Sequence, residues 1–382
     1  MKPAPILLSA GEASGDMYAA RLATALRQRA SVELFGMGGP AMRAAGVEIV
    51  TEQSEVAVVG ITEVLRHLPS LLRAMRRLVA ESARRKPALA ILTDFPGFHL
   101  RLARKLLPQG VRNVYFICPQ FWAWRPWRVR ILRRRFALGL CIFPFEEKFF
   151  GDAGFPVKFI GHPLAGEVRA GRSREEFCRD TGLDPGRAIV TLLPGSRPGE
   201  IARHMPVLHE ACARIAKETP AQFVLAAAPG ISEEMLRRGW PAGVPVHVAG
   251  GQTYDALAAA DVAIVSSGTA TVETALLDTP MVVVYRVSAL TALLAKPLVR
   301  TPFFSMVNLI AGRKIVPELI QKDFTAERLA DEALRLLGSE AARAGQRRGL
   351  AEVRERLGPA GAVERAADAI AQFLAKGTGN AG

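Results

Sequence analysis

Two short loops carry the residue types best suited to holding a diphosphate: Leu193-Pro194-Gly195-Ser196-Arg197 and Ser266-Ser267-Gly268-Thr269-Ala270-Thr271-Val272-Glu273. Each follows an apolar strand-like run (Ala188–Leu193, Asp261–Val265) and opens a stretch that reads as a helix. A Gly/Ser/Thr turn between strand and helix leaves backbone N–H groups facing solvent, with the positive end of the helix dipole behind them. Gly195, Ser196, Gly268, Thr269 and Thr271 are therefore candidate phosphate contacts. Arg197 adds a fixed fork of charged donors, and Glu273, on the first helical turns, can accept from ribose hydroxyls. Two such loops in one half of a chain imply a nucleoside-diphosphate donor and point to a sugar-nucleotide enzyme.

A candidate base lies in the other half. Asp94 ends the apolar run Leu89–Thr93 in Thr93-Asp94-Phe95-Pro96-Gly97-Phe98-His99. A carboxylate flanked by aromatics at a strand end is partly desolvated, which raises its pKa and makes it a better proton acceptor. Its competing role is to cap a helix starting near Pro96, and His99 is the rival base. Ser9-Ala10-Gly11-Glu12-Ala13-Ser14-Gly15-Asp16 also joins a strand to a helix. It lacks G-x-G-x-x-G spacing, which disfavours a dinucleotide. Ser14 could cap that helix, Gly15 allows close approach, and Glu12, Ser14, Gly15 and Asp16 are candidate acceptor-side residues.

Cys118–Arg128 holds three of the four tryptophans, with Arg125 and Arg128 among them and Arg130, Arg133, Arg134 and Arg135 following. Trp122, Trp124, Arg125 and Arg128 would suit the phosphates and acyl chains of a lipid or a membrane headgroup layer. A core loop followed by a solvated basic helix is the competing interpretation. No helix-turn-helix, zinc finger or RNA-binding sheet accompanies the patch, which disfavours nucleic acid. Near the end of the second half, Asn308 sits beside Gly312, Arg313 and Lys314 and is a weaker candidate for the diphosphate.

The elements that must position these residues alternate between strand and helix. Pro5–Ser9, Val32–Phe35, Leu89–Thr93, Asn113–Ile117, Leu138–Phe143 and Val157–Ile160 read as strands, with helical spacing in Gly15–Arg29, Leu68–Arg84 and Phe98–Leu107. After Gly161-His162-Pro163 the pattern restarts with Ala188–Leu193, Gln222–Ala227, Val244–Val248, Asp261–Val265 and Met281–Tyr285. Such alternation predicts doubly wound parallel sheets. We expect an α/β protein with two Rossmann-like domains, residues 1–165 and 166–345. Helices should follow over 346–382, the last (Ala360–Lys376) reaching back over the first domain, and Gly377–Gly382 should be frayed. Ligands of open parallel sheets sit at the carboxyl ends of strands, where every motif above lies.

The chain has 382 residues, 49% hydrophobic and 23% charged, with a net charge of +14 carried mostly by arginine. That excess implies an anionic partner such as phosphorylated substrates or an anionic membrane surface. The four cysteines (Cys118, Cys141, Cys178, Cys212) show no C-x-x-C pair, so reduced buried thiols and no zinc are expected, as in a cytosolic protein. No run of eighteen uncharged apolar residues occurs, and Met281–Phe304, the nearest, is broken by Arg286, Lys296, Pro297 and Arg300.

Taken in order, the segments resemble the lipid-A-disaccharide synthase family. They are Ala10–Asp16, Val59–Leu65, Asp94–Phe98, Pro119–Arg125, Phe143–Glu147, Phe159–His162, Leu192–Arg197, Ser267–Glu273 and Ser305–Gln321. The resemblance implies the GT-B architecture, two Rossmann-like domains facing a cleft. It also implies transfer of 2,3-diacylglucosamine from its UDP derivative to 2,3-diacylglucosamine 1-phosphate (lipid X), with inversion and without cofactor or metal. Asp94 corresponds to the family's base, Arg197 and Asn308 to diphosphate ligands, and Glu273 to a ribose ligand. Gly97 and His99 stand where the family carries Asp and Asn, and Met306-Val307 where it carries Leu-Pro. The implied location is peripheral, on the cytoplasmic face of the inner membrane, and oligomeric state is left open. The alternative is another GT-B enzyme on a UDP-sugar, such as a UDP-N-acetylglucosamine 2-epimerase or a soluble-acceptor glycosyltransferase. That alternative gives Trp122–Arg135 no role. A non-catalytic basic binding protein would leave both phosphate loops unexplained.

Overall fold

A computed structural model of the chain describes residues 3–56, 61–288, 291 and 301–378. The start of the Val59–Leu65 motif, most of the stretch 289–300 and the terminal residues 379–382 lie outside the described residues. The chain divides into two compact units, Met1–Pro163 with Gly358–Gly382, and Leu164–Leu357.

The first unit is built on seven parallel strands: β1 (Ala4–Ala10), β2 (Val32–Gly38), β3 (Glu48–Glu52), β4 (Leu89–Thr93), β5 (Arg112–Phe116), β6 (Leu138–Cys141) and β7 (Val157–Phe159). Their spatial order is β3-β2-β1-β4-β5-β6-β7. Both faces of the sheet are covered, and the two-residue period of a strand sorts the core accordingly. Ile6 and Leu8 pack with Leu22, Leu26 and the C-terminal Ile370 and Leu374. Leu7, Ala90 and Leu92 pack on the other face with Leu78, Leu102, Tyr115 and Leu132. The helix Ala362–Thr378 lies against the helix Ala13–Arg27. Arg365 Nε donates to Ile160 O at 2.8 Å, and Arg29 pairs with Asp368. The preceding helix, Glu340–Arg356, belongs to the second unit, so the residues after 345 are shared between the two.

The second unit has six parallel strands: β8 (Ile189–Leu193), β9 (Gln222–Ala227), β10 (Val246–Gly250), β11 (Val262–Ser266), β12 (Met281–Tyr285) and β13 (Glu318–Ile320). Their order is β10-β9-β8-β11-β12-β13. Its larger core joins Val190, Leu192, Ile264, Val282 and Val284 to Met205, Leu208 and Phe324. Ile189 and Val224 face the opposite side with Phe177 and Ala256.

Each sheet reverses its winding once, between β1 and β4 in the first unit and between β8 and β11 in the second. Loops leaving the two strands at such a point diverge to opposite faces and open a crevice. The loops that follow these four strands carry Glu12–Asp16, Asp94, Gly195–Arg197 and Gly268–Glu273, whereas the Trp122–Arg128 segment follows β5 and Asn308 follows β12. Two short strands were not foreseen, β3 and β13. Both are sheet edges, β3 with a glutamate at each end and β13 with one at its start, and neither has the apolar run that marks a strand buried on both sides.

Candidate active site

At the crevice of the first sheet, the Asp94 carboxylate receives the Gly11 N–H at 2.9 Å on Oδ1 and the Glu12 N–H at 3.2 Å on Oδ2. It does not cap the helix that follows. That helix, Pro96–Leu106, has Phe95 at its N-cap and no side-chain cap. The turn is unusual in holding two successive non-glycine residues in the left-handed region, Asp94 at φ 55° and Phe95 at φ 38°. Such residues cost on the order of 1–3 kcal/mol each unless surrounding contacts hold them. Here the Asp94 carbonyl takes two bonds, from Tyr115 Oη at 2.6 Å and from His99 Nδ1 at 2.9 Å. Burial pushes the Tyr115 phenol well up, so it remains a donor.

His99 is fully buried, with Ser9 Oγ 2.8 Å from Nε2. A carbonyl can only accept, so Nδ1 carries the proton and the Ser9 hydroxyl donates to Nε2. Both nitrogens are committed, to Ser9 and to the Asp94 backbone carbonyl, and burial lowers the His99 pKa to about 4. Burial raises Asp94 to about 7, against the Gly11 and Glu12 N–H groups, which favour the charged form. A base of that pKa is half deprotonated near neutrality. Acting as a general base with that pKa, Asp94 predicts a kcat/KM that rises about tenfold per pH unit below 7 and levels off above it. A profile that breaks near pH 4, the ordinary aspartate range, would contradict this.

The other acceptor-side candidates separate. Glu12 and Ser14 are exposed, and only Glu12 contacts Asp94, through its backbone N–H. Glu12, not Ser14, occupies the N-cap of the helix Ala13–Arg27. Gly15 is buried against the Asp94 carboxylate, where a Cβ would lie 1.7 Å from Oδ2. Asp16 is also buried and accepts from the Gly39, Ala41 and Met42 N–H groups, so it caps the helix Pro40–Ala44 and faces no opening. Trp122 is half-buried and donates to the fully buried Glu146 at 2.8 Å. By contrast Trp124 and Trp127 are 40% and 60% exposed. Arg125 lies over the Trp124 ring and Arg128 over those of Trp127 and Phe121.

In the second sheet a cavity of about 1100 Å³ opens at the crevice, lined by Gly195, Ser196, Arg197, Gly268, Thr269 and Glu273 among others. Gly195 sits at φ +134°, which turns the chain after β8 sharply into the helix Pro198–Glu218. The Arg197 side chain is largely exposed and 3.4 Å from Glu200 Oε1. Glu273 accepts from Tyr254 Oη at 3.0 Å, and burial raises its pKa. Tyr254, Glu200, Arg169 and Tyr285 also line this cavity and were not picked out in the sequence. They lie outside the Gly/Ser/Thr turns, on elements whose convergence only the folded sheet reveals.

Two expected nucleotide contacts are placed elsewhere. Thr271 is fully buried and its hydroxyl donates to Gly268 O at 2.8 Å, which braces the loop from within. Asn308 is fully buried as well. It accepts from the Ile315 and Val316 N–H groups and donates to Val316 O and Glu318 Oε1. Every hydrogen-bonding group of its amide is engaged, so it ties the segment before β13 together and does not line the cavity.

Comparison with known proteins gives the family. The profile of the family described as Lipid-A-disaccharide synthetase matches residues 6–372. The chain belongs to the lipid-A-disaccharide synthase family. It is 49% identical to the lipid-A-disaccharide synthase of Solibacter usitatus, over 97% of both chains. With that of Myxococcus xanthus it shares 43% identity over 98% of this chain and 99% of that one. Among solved structures, the glycotransferase of kitacinnamycin superposes with a TM-score of 0.63 at 15% identity, covering 98% of this chain and all of the other. That likeness places the fold in the GT-B class. This family member is a glycosyltransferase that makes the lipid A disaccharide, and the epimerase or soluble-acceptor alternative is the less supported one.

Proposed function

We propose that the chain transfers 2,3-diacylglucosamine from its UDP derivative to the 6-hydroxyl of 2,3-diacylglucosamine 1-phosphate. The products are the β-1,6 disaccharide 1-phosphate and UDP. The observation that carries this reading is the Asp94 carboxylate, fixed on two backbone N–H groups with its pKa raised to about 7. As the acceptor oxygen bonds to C1 of the donor sugar, Asp94 takes the hydroxyl proton and the bond from C1 to the diphosphate breaks with its electron pair. Attack opposite to the leaving group inverts C1. The charge that develops on UDP is met by Arg197 and by the backbone N–H groups of the loops after β8 and β11, an electrostatic role. Glu273 with Tyr254 is the proposed ribose contact. Reaction in the presence of a chelator should proceed undiminished, because the leaving group is stabilised by these groups.

Resolving the product by the coupling constant at its new anomeric centre tests the stereochemistry. A β linkage is expected, and an α linkage would rule out single displacement. Arg197→Ala should weaken UDP binding by about 1.5–3 kcal/mol, the range for a charge-assisted contact. Unchanged affinity by calorimetry would remove Arg197 from the site.

We also propose that the protein works at the anionic cytoplasmic face of the inner membrane. Among the described residues no helix is long and apolar enough to cross a membrane. Exposed Trp124 and Trp127, each beside an arginine, suit the headgroup layer where an amphipathic ring and a cation are both solvated favourably. Binding to vesicles containing anionic lipid should fall when both are replaced by Ser, and unaltered binding would place the contact elsewhere.

A further inference from the structure

We infer that His204 is a positioning residue of the nucleotide site, locking the loop after β8 to the end of β12. The inference rests on reading residues 194–197 as the diphosphate loop. His204 lies on the helix Pro198–Glu218 and is fully buried. Its Nδ1 is 2.7 Å from Pro194 O, and the Arg286 N–H donates to its Nε2 at 2.9 Å. A carbonyl only accepts and an amide N–H only donates, so the tautomer is fixed without ambiguity: Nδ1 carries the proton and Nε2 does not.

The two partners sit on opposite sides of the crevice. Pro194 immediately precedes Gly195, whose left-handed conformation leaves the loop many alternatives unless its entry is held. Arg286 immediately follows β12 and Tyr285, which lines the cavity together with Gly195, Ser196 and Arg197. The far anchor is itself rigid, since the Arg286 guanidinium donates to Gln321 O and Phe324 O and lies over the Phe324 ring. The imidazole meets Tyr285 and Phe324 edge-on, with centroids 5.8 and 5.5 Å away. His204 does not line the cavity. It acts through the loop, setting the direction of the N–H groups and of Arg197 before any phosphate arrives. Such preorganisation contributes to affinity by removing the cost of ordering the loop on binding.

The consequence is specific to phosphate. Loosening the loop should reduce what the second phosphate adds to binding and leave the rest of the nucleotide nearly untouched. The test is calorimetric titration of UDP and UMP into the wild type, His204→Phe, His204→Asn and Arg197→Ala. Phe keeps a ring in the pocket but loses both bonds, whereas Asn keeps a donor near the Nδ1 position. For the Phe variant we expect UDP affinity to fall about tenfold, as for one lost internal hydrogen bond, with UMP within about twofold. The Asn variant should recover part of the difference. Equal weakening of both nucleotides, unchanged UDP affinity in the folded Phe variant, or no recovery by Asn would overturn the inference. If the Phe variant does not fold, the Asn variant decides alone: selective loss of UDP affinity supports the role, and parallel or no loss overturns it. Wild-type protein that binds UDP no better than UMP, or an Arg197→Ala variant that keeps the difference, would instead remove the reading of the loop itself.

Discussion

Replacing Asp94 by Asn is expected to lower kcat by roughly a hundred- to ten-thousand-fold, the range for loss of a general base, with UDP affinity unchanged. Asn is the informative substitution because it tolerates the left-handed backbone that Asp94 adopts at φ 55°. It also preserves the carbonyl that receives Tyr115 and His99. What it removes is the second accepting oxygen, so one of the Gly11 and Glu12 N–H groups faces an amide that cannot accept. The variant should remain folded and bind UDP, since the proposed nucleotide loops belong to the other sheet. Wild-type turnover in Asp94→Asn would refute the base assignment, and steady-state kinetics paired with a melting curve separates that outcome from misfolding.

Gly15→Ala is expected to act on the same carboxylate from the opposite direction. The added methyl would lie 1.7 Å from Asp94 Oδ2 and 2.6 Å from its Cγ, so the side chain must swing away. Gly15 lies within the helix Ala13–Arg27. In isolation a helix gains roughly 0.5–1 kcal/mol from this exchange. The melting temperature should therefore hold better than for most glycine replacements, while kcat drops. A displacement of about 1 Å can cost on the order of 100-fold in rate. Kinetics indistinguishable from the wild type would show that the carboxylate does not need its present position.

The two large effects involve residues that the sequence makes visible, and the reason is topological. Asp94, Gly15, Ser196 and Glu273 all follow a strand at a winding reversal, where a break from apolar run to Gly, Ser or Asp stands out. The residues that hold them do not stand out. Tyr115 is one more aromatic in the apolar strand Arg112–Phe116, and only the register of β5 beside β4 brings its hydroxyl under Asp94. His204 lies seven residues past the loop it braces and 82 before the amide it accepts. Sequence proximity favoured His99 as a second base, yet its helix turns both nitrogens inward.

Asn308 shows the opposite failure. Its neighbours Gly312, Arg313 and Lys314 suggested an anion site, whereas the short strand β13 brings Glu318 onto its amide. Three residues are too few for a periodic signal, so neither the strand nor that partner was legible. The partners of Asp16 are illegible for a related reason: Gly39, the first residue of the turn it caps, is 23 residues away, and the turn follows β2, which pairs with β1.

The most direct measurement is UDP release from UDP-2,3-diacylglucosamine by the wild type in detergent micelles, with a chelator present, with and without 2,3-diacylglucosamine 1-phosphate. Release that requires the acceptor and survives the chelator is the expected result. Release that is independent of the acceptor, or none at all from protein that still binds UDP, would contradict a lipid glycosyl transfer at Asp94.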